Sequence, residues 1–251
     1  MQNRIIFSEK TANRTMIERN VRYEEARRIV SGKNVLEIGC AARNGAVILA
    51  ETAKQVTAID INEDQVKWAR AHYPGSNITY LVGDVQALPF PDRSFEAVTC
   101  LDVIEHVPQY QEALGEAHRV LADQGILFLT TPNKKRHADD GIIPNDHHFH
   151  EFTLEELKHE LQDCGFTILE VSGFSWERSL GKKSSRIFSL VRRIDVFQVR
   201  KILGSFFRGL AGTVVRRASG EKTDSQLTKD LYAFDIDTAN ADYFFCLSQK
   251  K

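Results

Sequence analysis

The sequence has few cysteines, no long apolar run and almost no net charge. Its four cysteines, Cys40, Cys100, Cys164 and Cys246, lie far apart, whereas a zinc ribbon or a thioredoxin-type redox motif needs close pairs. No apolar stretch is long enough to span a bilayer, and the N-terminus lacks the apolar segment of a signal peptide. With a formal net charge of -1, the chain has no long-range field that would gather nucleic acid. We therefore predict a cytoplasmic protein with reduced thiols and no nucleic-acid partner.

The order of apolar runs and helical patterns predicts an α/β protein. Seven short apolar segments alternate with amphipathic helices, which favours a doubly wound, mostly parallel, seven-stranded Rossmann-like sheet with helices on both faces. The chain of 251 residues is expected to form a single domain, 1–251, with a core at 15–173 and an antiparallel final strand at 241–251. The predicted strands are 34–38, 55–59, 78–82, 95–101, 125–131, 166–171 and 243–248.

One region interrupts this alternation. Between 175 and 240 the sequence predicts a basic helical lid or insertion, because arginines and lysines at 178–217 interleave with apolar residues at helical spacing. Two interpretations remain open for it. Its apolar face can pack on the sheet as a lid over the active site, or its cationic outer face can make a peripheral contact with anionic lipid.

Acidic residues follow the first three predicted strands. In a doubly wound sheet, ligands bind at the carboxyl ends of the strands, where a loop of small residues admits the ligand close to the backbone. The loop at 37–45 contains Gly39 and ends at the start of a helix, which offers free amide donors. Asp60, about 20 residues further on, is placed to accept the hydroxyls of a ribose, and Asp84 can accept from an exocyclic amine. Together these residues predict a nucleoside site.

The segments around these acids resemble the class I S-adenosylmethionine-dependent methyltransferases of the type 11 group. The resemblance spans roughly 21–171, and it implies S-adenosyl-L-methionine (SAM) as the cofactor. Glu37 and the Gly39 loop would face the methionine part, Asp60 the ribose and Asp84 the adenine. The residues that carry the resemblance are Val35–Cys40, Ala58–Asp60, Gly83–Asp84 and Leu88–Val98. The predicted cofactor site comprises Glu37, Gly39, Cys40, Ala41, Asp60, Ile61, Asp84, Val85 and Leu101.

The glycine loop departs from the family pattern in ways that keep other functions open. Ala41 and Arg43 replace the usual second and third glycines, and Gly45 comes two positions late. A methyltransferase-like scaffold with little turnover is therefore one alternative. An NAD(P)-dependent oxidoreductase is a weaker one, because its glycine fingerprint fails at Ala41 and Asn44.

The candidate acceptor residues follow the fourth and fifth strands. The segment Leu101–His106 resembles the quinone-pathway O-methyltransferases, in which two acids and a histidine can hold a divalent cation. We favour the simpler interpretation that Glu105 and His106 orient the loop, and we predict no metal site. The candidate catalytic residues are His106, His147, His148 and His150. They favour a small-molecule or lipid-linked acceptor that is methylated at oxygen.

Overall fold

The computed structural model describes residues 9–135, 147–176, 232–235, 238 and 241–251. Within these ranges the helices are α1 (Glu9–Ile29), α2 (Gly45–Ala50), α3 (Glu63–His72), α4 (Tyr110–Val120) and α5 (Leu154–Asp163), with a 3-10 turn at Ile104–His106. The strands are β1 (Asn34–Ile38), β2 (Gln55–Asp60), β3 (Ile78–Val82), β4 (Phe95–Leu101), β5 (Leu121–Pro132), β6 (Phe166–Trp176), β7 (Tyr232–Asp235) and β8 (Tyr243–Lys250).

The strands form one sheet in the order β3-β2-β1-β4-β5-β8-β6-β7. The first five strands pair in parallel, whereas β8 pairs antiparallel with both β5 and β6. The seven predicted strands and the antiparallel final strand are thus confirmed, and the short β7 is an addition. β5 begins at Leu121, four residues before its predicted start at 125. The residues Asp123-Gln124-Gly125 form an irregularity within the strand, where Gln124 has a φ of 62°.

Two helix starts follow directly from the sequence. The side chain of Asn62 accepts a hydrogen bond from the amide of Gln65 at the start of α3. At the start of α5, Thr153 and Glu156 form a capping box, the sequence pattern Thr-x-x-Glu, in which each side chain accepts from the other residue's amide. Both caps satisfy amides that the helix itself leaves without a partner.

Helices cover both faces of the sheet. Alternate residues of a strand point to opposite faces, and Leu36 of β1 lies in the buried apolar cluster with Leu114 of α4 and Leu157 of α5. Glu37, the next residue of β1, accepts a hydrogen bond from Tyr23 of α1. The prediction of helices on both faces is therefore confirmed.

The strand order fixes where a ligand can bind. From β1 the chain moves outward to β2 and β3, whereas from β4 it moves the other way to β5. A crevice opens at such a reversal, outside the carboxyl ends of the two central strands. The segments that follow Ile38 and Leu101 flank this crevice.

The chain divides by its contacts into two units, Met1–Ser175 with Phe234–Lys251, and Trp176–Ala233. The predicted basic helical region at 178–217 lies outside the described residues, so its role as a lid or membrane-contacting surface stays a prediction. Among the residues that are described, no helix is long and apolar enough to cross a membrane.

Candidate functional site

The loop after β1 is held against the ends of β2 and β4. The amides of Gly39 and Cys40 both donate to the carbonyl oxygen of Ile59, at 2.8 and 3.1 Å. Gly39 has a φ of 73°, and a Cβ at this position would lie 2.5 Å from a methyl group of Val103. Only glycine therefore fits here. Ala41 also adopts a left-handed conformation, with a φ of 49°, which costs an L-residue roughly 1–2 kcal/mol.

Asp60 joins the loop to the start of α3. Its Oδ2 accepts from the amide of Ala41 and its Oδ1 from the amide of Asn62, both at 2.9 Å. Each carboxylate oxygen has two acceptor sites, so both oxygens keep a lone pair for a ligand hydroxyl. The structure thus places Asp60 where the sequence predicted, beside the glycine loop.

The remaining cofactor candidates surround the same edge. Asp84 accepts a hydrogen bond of 2.9 Å from the amide of Gln86. The side chain of Ile61 is 68% exposed, whereas Val85 and Leu101 are buried. An apolar side chain so exposed next to Asp60 offers a surface on which a planar base can lie. The side chain of Cys40 is buried, and its amide donates to Ile59 as described above.

Glu37 is a buried acid with one satisfied oxygen. Its Oε1 accepts a 2.6 Å hydrogen bond from the hydroxyl of Tyr23, whereas its buried Oε2 has no hydrogen-bond partner among the described residues. Burial raises the pKa of Glu37 to about 7, and Asp60 also raises it, while Tyr23 and Arg43 lower it. A buried carboxylate oxygen without a partner is costly, and it suits the ammonium group of a bound amino acid. The methionine part of SAM carries such a group.

The segment after β4 differs from what the resemblance implies. Asp102 does not stand beside Glu105 and His106 as a third ligand, because Arg22 binds its Oδ2 and Thr130 donates to its Oδ1 at 2.8 Å. The ligand set of two acids and a histidine therefore does not fit a divalent cation here. Instead Glu105, His106 and His148 bring potential ligand atoms within 4.8 Å of one another.

Glu105 is the most deeply buried acid of the crevice. Its Oε2 accepts a 3.1 Å hydrogen bond from Thr131, and its backbone oxygen accepts from the amides of Phe149 and His150. Burial raises the pKa of Glu105 well above its ordinary value, and the charge of Asp102 adds to this effect. These contacts support the interpretation that Glu105 orients the loop that carries the histidines.

The four candidate histidines divide into a group of three and one that lies apart. Nδ1 of His106 lies 2.9 Å from the carbonyl oxygen of His147, and the rings of His106 and His148 meet edge to face. His150 instead packs against Tyr110 and Phe152. The structure thus brings His106, His147 and His148 together, and places His150 against apolar neighbours.

Sequence reasoning missed three contributors to this site. Arg22 and Tyr23 belong to α1, where they looked like ordinary members of a charged, amphipathic helix, yet both side chains are buried. Phe149, which lies between His148 and His150 in the sequence, is 67% exposed, and a single aromatic residue in a loop gives no sequence signal of such exposure. No local pattern marks the partners of Arg22 and Tyr23, because Asp102 and Glu37 lie 80 and 14 positions away in the sequence.

Comparisons with known proteins agree with this geometry. A family model described as "Methyltransferase domain" matches residues 36–129. A ubiquinone biosynthesis O-methyltransferase from Xanthomonas axonopodis pv. citri is 33% identical over 181 residues, covering 65% of this chain and 76% of the relative. A "probable S-adenosylmethionine-dependent methyltransferase" from Mycolicibacterium smegmatis is 31% identical over 165 residues, covering 65% of this chain and 63% of that relative.

Solved structures give the same fold at lower identity. An S-adenosylmethionine-dependent methyltransferase from Mesorhizobium loti superimposes with a TM-score of 0.53 at 15% identity, covering 88% of this chain and 92% of that chain. The chain spans less than two thirds of the length of the mycobacterial relative, but three quarters of the Xanthomonas one. Sequence identity, strand order and the acids at the strand ends agree, and the chain belongs to the S-adenosylmethionine-dependent methyltransferase family.

Proposed function

We propose that this protein transfers a methyl group from SAM to an oxygen atom of a small-molecule or lipid-linked acceptor. The observation that carries the proposal is the buried, unpartnered Oε2 of Glu37 at the end of β1. Beside it stand Asp60 and Asp84, at the ends of neighbouring parallel strands. These three acids follow the order of the cofactor's ammonium, ribose and adenine groups.

Each acid has a separate task in holding the donor. Glu37 would accept from the ammonium group, Asp60 from the ribose hydroxyls and Asp84 from the exocyclic amine of adenine. The exposed side chain of Ile61 would cover one face of the base. When bound, SAM supplies a methyl group on a positively charged sulfonium. The protein's part is then to align the acceptor and to exclude water.

His106 is placed to take the proton of an acceptor hydroxyl. A carbonyl oxygen can only accept a hydrogen bond, so the contact with His147 assigns the proton of His106 to Nδ1 and leaves the lone pair on Nε2. Burial lowers the pKa of His106, and His148 also lowers it, although the bond to His147 and the charge of Asp102 act in the opposite direction. The neutral imidazole can therefore accept a proton at Nε2 while the oxygen is methylated.

The choice of oxygen rests on this histidine and on the similarity to the Xanthomonas relative, which is an O-methyltransferase. Phe149, which is 67% exposed, offers an apolar surface next to His106. An acceptor with an apolar body and a hydroxyl group would match both features.

One structural feature favours the scaffold alternative. Ala41 holds a left-handed conformation with a φ of 49°, at the position where the resemblance implies the second glycine of the loop. A loop with this strain can still bind, or it can have lost its ligand. Cofactor affinity therefore decides between an enzyme and a scaffold.

Calorimetric titration with SAM and with S-adenosylhomocysteine tests the proposal. We expect micromolar binding by the wild type and at least tenfold weaker binding by Asp60→Ala, because Asp60 touches both the ligand and the loop. Asp64→Ala is the matched control, since Asp64 is exposed on α3 and should leave binding unchanged. A wild type that binds neither compound would refute the donor assignment.

Turnover then tests the acceptor side. Formation of S-adenosylhomocysteine would be followed against a panel of phenols, fatty acids and quinols, with and without magnesium. A hydroxyl or carboxyl acceptor that is methylated by the wild type and at least 100-fold more slowly by His106→Gln would support the base role. Equal rates for the two proteins would refute it.

A further inference from the structure

A partly buried ion pair joins α1 to the residue that follows β4. Nε of Arg22 donates to Oδ2 of Asp102 at 2.8 Å, and Nη2 of Arg22 donates to the same oxygen. Arg22 is only 4% exposed, and its guanidinium carbon lies 4.1 Å from the ring centroid of Tyr243 on β8. Three separate elements thus meet at one guanidinium group.

The backbone of Asp102 is as constrained as its side chain. Asp102 has a φ of 55°, an uncommon conformation for a residue with a side chain. Its amide donates to the carbonyl oxygen of Thr130 at 3.0 Å, and its Oδ1 accepts from the hydroxyl of the same threonine at 2.8 Å. The contacts with Arg22 and Thr130 together hold the turn in a conformation that local preference disfavours.

This turn starts the segment that separates the donor loop from the histidines. Val103, the next residue, occupies the space that a Cβ on Gly39 would need. The 3-10 turn then carries Glu105 and His106. A shift of Asp102 would therefore move the wall of the cofactor loop and the candidate base together.

We propose that Arg22 and Asp102 are positioning residues for the proposed methyl transfer: their partly buried ion pair fixes the segment 102–106 against the donor loop. The inference rests on the proposed function of that loop. It also replaces the role that the resemblance implies for Asp102, because Oδ2 already accepts two hydrogen bonds from Arg22 and Oδ1 accepts one from Thr130. Two donors of one rigid guanidinium group converge on a single oxygen, which suits a pair whose task is placement.

If the Arg22–Asp102 pair served only to attach α1, loss of any other ion pair of α1 should have the same effect on ligand binding. Arg27 of the same helix pairs with Glu51 and Glu24, at 2.7 Å each, so it also fastens α1, but away from the crevice. Loss of Arg27 should weaken the docking of α1 without moving the segment 102–106. Arg27→Gln is therefore the matched control for Arg22→Gln.

The first test measures binding of S-adenosylhomocysteine by calorimetry. We expect Arg22→Gln and Asp102→Asn each to weaken the affinity at least fivefold. The affinity of the double variant should lie within twofold of that of the single variant that binds more weakly, because the same interaction is lost in all three proteins. Arg22→Lys keeps the charge and should recover part of the loss. Arg27→Gln should bind within twofold of the wild type. Wild-type affinity in both single variants, or effects that multiply in the double variant, would overturn the inference.

Hydrogen exchange separates a failure of this inference from a failure of the proposed function. The amides of His106 and Val107 are bonded within the 3-10 turn, so they report on its order without any ligand. We expect at least tenfold faster exchange at these amides in Asp102→Asn, and unchanged exchange in Arg27→Gln. Unchanged exchange in Asp102→Asn would refute the positioning role, whereas a wild type that does not bind S-adenosylhomocysteine would refute the proposed function alone.

Discussion

Lowering the pH from 8 to 6 should weaken the binding of SAM about tenfold, because Glu37 then takes up a proton. Burial raises the pKa of Glu37 to about 7, whereas an unperturbed glutamate stays ionised throughout this range. Only the ionised form leaves Oε2 as a full negative charge for the ammonium group. The ionised fraction falls from about nine tenths at pH 8 to about one tenth at pH 6, which gives the expected factor.

Two variants make this prediction specific to Glu37. Glu37→Gln cannot ionise, so its affinity should be low and almost independent of pH. Tyr23→Phe removes the hydrogen bond that lowers the pKa of Glu37, so the loss of affinity should begin at a higher pH than in the wild type. Isothermal titration calorimetry at half-unit intervals from pH 6 to 8 measures both effects.

The result that would refute this reasoning is a wild-type affinity that changes less than twofold across the range. It would mean that Glu37 is already ionised at pH 6, or that it does not face the ligand. Parallel pH profiles for the wild type and Glu37→Gln would show that another group titrates. Neither outcome would alter the assignment of the family, which rests on the sequence similarity to known methyltransferases.

Three further predictions concern the loop and its surroundings. Gly39→Ala should abolish SAM binding in calorimetry, because the new Cβ would lie 2.5 Å from Val103. Adding Val103→Ala to this variant should restore part of the binding, and no recovery would contradict the steric explanation. Ala41→Gly should stabilise the protein by about 0.5–1 kcal/mol in urea unfolding by relieving the left-handed alanine, whereas a loss of stability would show that the methyl group packs well. Thr153→Ala should lower the free energy of unfolding by about 1 kcal/mol in the same assay, since it removes the cap that pairs with Glu156. An unchanged urea midpoint would mean that the cap does not contribute to stability.

The parts of the fold that the sequence could predict are those with local causes. An apolar run bounded by turn residues is enough to locate β1 and β3, whose observed limits match the predicted ones. The caps at Asn62 and Thr153 are equally local, because each bond spans three residues. The position of Asp60 beside the glycine loop could be predicted because an acid at the end of the second strand stands at a nearly fixed spacing from that loop.

The parts that the sequence could not predict depend on contacts between distant residues. Arg22 and Asp102 are 80 positions apart, and nothing near either residue marks the pair. The same holds for His150, which the pattern grouped with three other histidines but which packs against Tyr110 and Phe152. Local patterns can propose a cluster of side chains, but only the packing decides which of them share an environment.

The acids of the crevice differ in their hydrogen bonds to the protein, and this difference affects stability. Both carboxylate oxygens of Asp102 accept hydrogen bonds, from Arg22 and Thr130, whereas Glu37 keeps one buried oxygen without a partner among the described residues. Because the folded pKa of Glu37 lies above its ordinary value of 4.5, folding favours the protonated acid, and stability is lost as the pH rises from about 4.5 through about 7, by up to about 3 kcal/mol. A bound cation would return part of this loss. The same unpartnered oxygen therefore weakens the free protein near neutral pH and strengthens its hold on a positively charged cofactor.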